Sequence, residues 1–340
     1  MSRIIYILML LGMVSLTSCK HTKTASDSAV ALQQPCGPVF NADSAFMYCS
    51  RQCDFGPRAM NTKAHDDCRD WIAGEFRRHG MEVTLQQASL KGYDGTMLSS
   101  SNIIARFTPR GASADMPRLL LCAHYDTRPW ADNDADDENH RKPVMGANDG
   151  ASGVGVMLEV ARLLSLADSA RMAVDFVCFD AEDYGTPQWF EGESQVSDPW
   201  ALGAQHWAIE YAAGRYPVKI TCGILLDMVG GEGAQFYREG MSMKYAEAIV
   251  NKVWAAAKAA GYGSYFPESD GGYVTDDHVP MNEVAGIPTI DIIAYYPDCQ
   301  QSSFGPTWHT VNDDMDHIDK NTLKAVGQTI IQVLYSEAPL

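Results

Sequence analysis

Carboxylates and imidazoles collect in this sequence at the ends of apolar runs. Residues 118–123 lead into His124-Tyr125-Asp126, residues 173–179 into Asp180-Ala181-Glu182-Asp183, and residues 219–226 into Asp227. The run 289–294 is followed, after a loop, by Trp308-His309-Thr310, and Asn148-Asp149-Gly150 precedes an apolar helical segment at 153–166. Each has an ordinary reading when taken alone. Asn-Asp-Gly is good turn and cap chemistry, and adjacent Glu182 and Asp183 make a solvated acidic turn. Taken together, Asp149, Asp183, His309, His124 and Asp227 form a mixed oxygen and nitrogen donor set of the kind zinc accepts, with room for an open catalytic position. Glu182, next to a candidate ligand without needing to bind the metal, has the chemistry of a general base and acid.

Such residues act together only if the fold brings them to one place. Apolar β-rich runs at 82–87, 102–107, 118–123, 173–179, 219–226 and 289–294 alternate with helical patterning at 42–51, 62–79, 153–166, 200–211, 244–260 and 322–337. That alternation predicts an α/β three-layer sandwich with a mixed, largely parallel central sheet flanked by helices. In open α/β sheets the ligand site lies beyond the carboxyl ends of the strands, where the acids and imidazoles fall here. No repeat and no break in charge marks a second domain, so residues 40–340 are expected to form one catalytic unit.

Composition removes several function classes. The 340 residues are 46% hydrophobic and 20% charged, with 43 acidic against 26 basic side chains and a net charge of −17. The apolar fraction suffices for a buried core and argues against disorder. A chain this acidic lacks the basic footprint that a nucleic-acid backbone or an anionic membrane surface rewards, so no nucleic-acid partner is expected.

The N-terminus predicts the compartment. Arg3 precedes an apolar run from 4 to 14, as long as a signal-peptide core and too short to span a bilayer. Leu16-Thr17-Ser18-Cys19 resembles a bacterial lipobox. Residues 1–18 are therefore read as a lipoprotein signal peptide, Cys19 as the lipidated mature N-terminus, and 19–39 as a flexible tether of small polar residues. The expected location is the bacterial cell envelope, as a periplasm-facing lipoprotein anchored through Cys19. Export would put the other eight cysteines in a disulfide-permissive space. Cys122, Cys178 and Cys222 sit in apolar runs and read as buried thiols; pairing among Cys36, Cys49, Cys53, Cys68 and Cys299 does not follow from spacing.

The ordered motifs His124-Tyr125-Asp126, 146–153 (Gly-Ala-Asn-Asp-Gly-Ala-Ser-Gly), Phe179-Asp180-Ala181-Glu182-Asp183, Leu226-Asp227-Met228 and Trp308-His309-Thr310 resemble the zinc aminopeptidase superfamily over about residues 40–340. Within it, the stretch Asp126-Thr127-Arg128-Pro129-Trp130-Ala131-Asp132 and the pair Asp276-Asp277 before His278 look most like the bacterial glutaminyl cyclases. That resemblance implies one zinc per chain on Asp149, Asp183 and His309, with Glu182, Asp227 and Asp276 as catalytic residues. It also implies a pocket for glutamine lined by Trp308, Trp189 and Phe304. The implied reaction converts N-terminal glutamine of peptides and proteins to pyroglutamate with loss of ammonia, and Asp276 would hydrogen-bond Asp227 and disfavour a second metal. The aminopeptidase branch instead implies two zincs bridged by Asp149, with His124 and Asp227 on one and Asp183 and His309 on the other. A non-catalytic envelope binding protein would be marked by loss of Glu182 or a ligand, and all are present. Many relatives carry Glu where this chain has Asp183, so this ligand is one methylene shorter.

Two further segments carry less. Asp132, Asp134, Asp136, Asp137 and Glu138 resemble a calcium loop, but Asp137 stands where an EF-hand needs Gly and Pro143 where it needs Glu. Gly230-Gly231-Glu232-Gly233 has no phosphate-binding pattern.

Overall fold

The structure, a computed structural model, describes residues 34–113, 116–166, 169–336 and 340; the signal segment, Cys19 and the tether as far as residue 33 lie outside them. Six strands form one sheet: β1 (Glu82–Lys91), β2 (Met97–Phe107), β3 (Arg118–His124), β4 (Ala173–Phe179), β5 (Cys222–Asp227) and β6 (Thr289–Ile293), in the order β1-β2-β4-β3-β5-β6. β1 and β2 run antiparallel and β2 joins β4 antiparallel, whereas β4, β3, β5 and β6 are mutually parallel. The helices are α1 (Ala42–Cys53), α2 (Lys63–Arg78), α3 (Ala151–Leu166), α4 (Leu202–Ala212), α5 (Gly240–Ala259), α6 (His278–Glu283) and α7 (Lys320–Tyr335). This is the α/β sandwich that the sequence predicts.

The central strands are apolar on both faces, and their period of two sorts the side chains into two cores. Leu119, Leu121 and Ala123 of β3, Val174, Phe176 and Cys178 of β4, and Ile224 and Leu226 of β5 face the larger core, with α3 and α7. Leu120, Cys122, Val177, Phe179 and Leu225 face the smaller one, around Trp207 of α4 and Met281 of α6. Each such side chain taken fully from water contributes about 1.5–3 kcal/mol. The same alternation leaves Asp291 of β6 buried within the sheet.

α3 lies directly under the site, and 13 of its 16 residues are buried, so its sequence is apolar all round rather than striped. It packs so tightly on β5 that a Cβ at Gly153 would collide with the Leu226 carbonyl and the Ala123 side chain. Glycine there is what lets the helix start close to the sheet edge.

The chain enters along α7. Cys36 N–H donates to Gln332 Oε1 (2.8 Å), Gln332 Nε2 to the Gln34 carbonyl (3.0 Å) and Gln328 Nε2 to the Pro38 carbonyl (3.1 Å). Residues 34–39, the end of the expected tether, are thus tied to the last helix. Cys36, Cys49, Cys53, Cys68, Cys122, Cys178, Cys222 and Cys299 are free thiols, with Cys122, Cys178 and Cys222 buried as their apolar surroundings predict. Among the described residues, no helix is long and apolar enough to cross a membrane.

Candidate metal and acid–base site

The carboxyl ends of the parallel strands deliver the site. His124 ends β3, Glu182 and Asp183 follow β4, Asp227 ends β5, and Asp149 stands just ahead of α3. They line or adjoin a cavity of about 190 Å³ whose walls include Asp149, Glu182, Asp183, Asp227, Asp276 and His309. Three backbone positions beside these groups adopt left-handed torsions without being glycine: Ala181 (φ 54°), Met228 (φ 48°) and His309 itself (φ 53°). Such conformations cost of order 1–3 kcal/mol each and persist only where surrounding structure enforces them.

Two buried triads share Asp149. Asp149, Asp183 and His309 have donor atoms within 4.8 Å of one another, and so do His124, Asp149 and Asp227. In the first, His309 Nε2 is 3.2 Å from Asp183 Oδ1 and 3.5 Å from Asp149 Oδ2. In the second, His124 Nε2 is 3.0 Å from Asp149 Oδ1 and 3.2 Å from Asp227 Oδ1. Tetrahedral zinc with bonds of about 2.0–2.2 Å sets its ligand atoms roughly 3.3–3.6 Å apart, so both triads have the spacing of ligands around an ion. Neither carboxylate oxygen of Asp183 makes a hydrogen bond among the described residues, although the side chain is buried. A buried acceptor with no donor is what a cation would satisfy. The residues fit zinc.

The electrostatics agree. Burial opposes charge on His124, yet its hydrogen bonds to Asp126, Asp149 and Asp227 outweigh that and hold it well above the usual imidazole range. His309 is likewise pushed up to about 9, against its burial, by the charge of Asp183 and the nearby Asp132. Burial raises Asp227 to about 7, with His124 opposing and Asp149 and Asp276 adding. Burial also holds the Glu182 carboxyl well above the usual range, with His124 opposing and Asp183, Asp276 and Asp277 adding. A divalent cation would take the place of the protons on these imidazoles.

The supporting shell includes residues to which the sequence gives no role in positioning the site. Asp126 Oδ1 and Oδ2 accept the backbone N–H groups of Glu182 and Asp183, both at 3.1 Å. Asp313 does the same for Asn148 (2.7 Å) and Asp149 (3.0 Å). Asp132 lies 3.5 Å from His309 Nδ1 and pairs with Arg128 at 2.7 Å, while Asp134 accepts from Val311 N–H and Asn139. Two carboxylates of the calcium-like segment are thereby turned to structural use. Asp276 raises Asp227 through its charge, but among the described residues the hydrogen bond between them that the resemblance implies is absent: Asp276 Oδ1 accepts the backbone N–H of Asp277, and the carboxylate clusters within 4.8 Å of His278 and Asp291 donor atoms. Asp291 carried one visible signal, an acid inside the apolar run 289–293.

The aromatic walls differ in one member from the expectation. Phe304 and Trp308 line the cavity, with ring centroids 4.9 Å apart, and Trp308 stacks on His309 at 3.8 Å. Trp189 does not join them. It packs against Trp130 (5.9 Å) and under the Arg141 guanidinium (4.2 Å), away from the cavity wall. Its place is taken by Trp200, which lies near-parallel to His309 at 6.3 Å and is backed by Arg128 at 4.7 Å. In the sequence Trp200 marks only the start of a helical pattern; it stands in the turn just before α4.

Comparisons with known proteins accord with this geometry. The model of peptidase family M28 matches residues 102–334. A glutaminyl cyclase from Bacteroides thetaiotaomicron, solved with N-acetylhistamine bound, is 50% identical, with a TM-score of 0.83 over 89% of this chain and 100% of that one. A leucine aminopeptidase precursor from the same organism is also 50% identical, with a TM-score of 0.81 over 88% of this chain and 99% of its own. Aminopeptidase YwaD of Bacillus subtilis is 28% identical over 78% of this chain, which spans about half of that protein's length (50%).

Proposed function

This chain belongs to peptidase family M28, and on that premise we propose that it converts the N-terminal glutamine of peptides and proteins to pyroglutamate with release of ammonia. The observation that carries the proposal is the aromatic enclosure of Glu182. Trp200, Phe304 and Trp308 bound a space of about 190 Å³ over the carboxylates. For scale, a cavity of about 150 Å³ holds a benzene ring. That is room for one terminal residue folded back on itself. The likeness to the Bacteroides glutaminyl cyclase supports the same reading.

Asp149, Asp183 and His309 would hold one zinc, which when bound supplies Lewis-acid polarisation of the glutamine side-chain carbonyl. The α-amino nitrogen forms a bond to the side-chain carbonyl carbon, and Glu182 takes the proton this nitrogen loses. The carbon–nitrogen bond of the side-chain amide then breaks. Glu182 passes its proton to that nitrogen, which leaves as ammonia, so the carboxylate ends as it began. Asp227 and Asp276, both on the cavity wall, orient the incoming amine. The aromatic walls keep water from competing with the amine. Because nucleophile and electrophile belong to one residue, the walls contribute mainly by holding a reactive conformer.

A second reading, a two-zinc aminopeptidase, is favoured by the complete triad His124, Asp149 and Asp227 and by the likeness to the leucine aminopeptidase precursor. The deciding experiment gives zinc-loaded protein a Gln-initiated peptide and reads ammonia release and peptide mass. Loss of one ammonia per peptide is expected. Intact Gln peptides alongside cleavage of other N-terminal residues would overturn the cyclase reading. A Glu182→Gln variant should lose on the order of 10²–10⁴-fold in turnover while keeping its zinc. The lipobox-like residues Leu16 to Cys19 support placing this activity on a membrane-anchored lipoprotein facing the periplasm.

A further inference from the structure

Helix α2 buries one face, made of His65, Cys68, Ile72, Ala73 and Phe76. A buried imidazole on an otherwise apolar stripe needs a polar partner. His65 Nε2 finds one in Asp180 Oδ1 at 2.7 Å, and both side chains are out of solvent. We infer that His65 is a positioning residue for the reaction: it holds the Asp180 carboxylate, and through it the turn that aims Glu182 at the substrate. The role given to Glu182 is that of the cyclase reading above, on which this rests.

The start of the helix sets the place of the ring. Thr62 caps α2, its Oγ1 accepting the His65 N–H at 3.2 Å, which fixes His65 in the first turn. The imidazole stacks on Tyr125, with centroids 5.1 Å and planes 18° apart, and the Tyr125 hydroxyl donates to the Ser101 carbonyl at 3.1 Å. Tyr125 stands between His124 and Asp126, directly after β3, and Asp180 stands directly after β4. One side chain of α2 therefore touches the chain leaving both strands that deliver the site.

Asp180 passes that placement on. Besides His65, Oδ1 accepts the Ala181 N–H (2.9 Å), and Oδ2 accepts the Ser101 N–H (2.6 Å). Ala181 is the left-handed residue (φ 54°) immediately before Glu182, a conformation that its surroundings must enforce. Its N–H is held by Asp180, and its carbonyl accepts the Leu202 N–H at 3.1 Å. Asp126 holds the next two amides, so two buried carboxylates clamp residues 181–183 in succession. His65 supplies the side-chain donor to Asp180; burial opposes charge on the ring, but the Asp180 charge and hydrogen bond raise it above the ordinary imidazole value. A buried carboxylate deprived of such a donor must rotate or take up a proton, and either change weakens its hold on the Ala181 N–H.

The test uses the full zinc-loaded chain, a Gln-initiated peptide and two variants of similar bulk: His65→Gln, which keeps an N–H donor, and His65→Met, which has none. Ammonia release should show kcat about tenfold or more lower in His65→Met, with KM within about twofold and zinc content unchanged. His65→Gln should stay within about threefold of the wild type. Asp180→Asn should lower kcat alike, and combining it with His65→Met should cost less than the product of the two losses, as for groups that act through each other. Hydrogen exchange in His65→Met should quicken at residues 181–183 more than elsewhere. A fall in Tm and zinc with kcat per bound zinc unchanged, equal losses in the Gln and Met variants, or independent losses in the double variant would each overturn this inference alone. If the wild type releases no ammonia, the cyclase reading fails, and exchange at 181–183 then decides by itself whether His65 holds the turn.

Discussion

Asp126 Oδ1 accepts the backbone N–H of Glu182 at 3.1 Å. Its other oxygen takes the next N–H, that of Asp183, so one buried carboxylate fixes the turn carrying both the acid–base group and a candidate ligand. An amide in that place offers one acceptor to two donors. Asp126→Asn should lower kcat about 10- to 100-fold, as expected for one charge-assisted hydrogen bond of about 1.5–3 kcal/mol. Steady-state kinetics and zinc content on the same preparation check it. Wild-type kcat in the variant would mean that the turn holds itself.

The two triads give different metal counts. If Asp149, Asp183 and His309 hold the working ion, Asp183→Asn and His309→Ala lose zinc, whereas Asp227→Asn keeps it. If both triads are filled, Asp227→Asn takes the protein from two ions per chain to one. Elemental analysis after dialysis reads the difference directly, and chelation should abolish activity in either case.

The wall exchange between Trp189 and Trp200 is open to a paired test. Trp200→Ala removes the face against His309 and should cut kcat/KM about 10- to 100-fold, as loss of a buried aromatic anchor does. Trp189→Ala, away from the cavity, should stay within about twofold. Equal losses would mean that the Trp189 loop reaches the substrate.

Acid stability depends on a group far from the site. His79 is buried beside Tyr48, whose hydroxyl lies 2.9 Å from its Nε2. Burial, with the nearby Arg78 and Arg162 charges, lowers its pKa from 6.5 to about 4. Below the ordinary value the unfolded chain takes up a proton that the folded chain refuses. The contribution of His79 is therefore fully present above pH 6.5 and is lost as pH falls to about 4. The drop in Tm from about pH 7 to about pH 5 should be larger in the wild type than in His79→Gln. Equal drops would show that His79 titrates normally.

Much of the fold and of the site was legible because strand and ligand signals coincide. Every apolar run read as a strand is one, and the groups at their carboxyl ends, His124, Glu182, Asp183 and Asp227, meet at one rim. What stayed hidden is what side-chain direction decides. Trp189 reads as a loop residue after Glu182 and Trp200 as a helix start, and no sequence pattern shows that Trp200, with Arg128 and Gly185 packed on its ring, is the one that lines the cavity. Asp132 and Asp134 show only a failed calcium-loop pattern because nothing in sequence places Arg128, His309 or the Val311 N–H beside them. α6 has six residues and one of them is proline, too few for a periodic pattern.

The left-handed torsions at Ala181, Met228 and His309 bear on the order in which the molecule is made. The candidate ligands come from positions as distant as 124 and 309, and no two sit one helical turn apart as a local metal motif would require. A nascent chain therefore has no segment that can capture zinc by itself, and the strained residues cannot be set before the sheet closes around them. A metal ion taken up by these residues would come last in folding rather than serve as its nucleus. Zinc bound at either triad would report that the whole topology is complete.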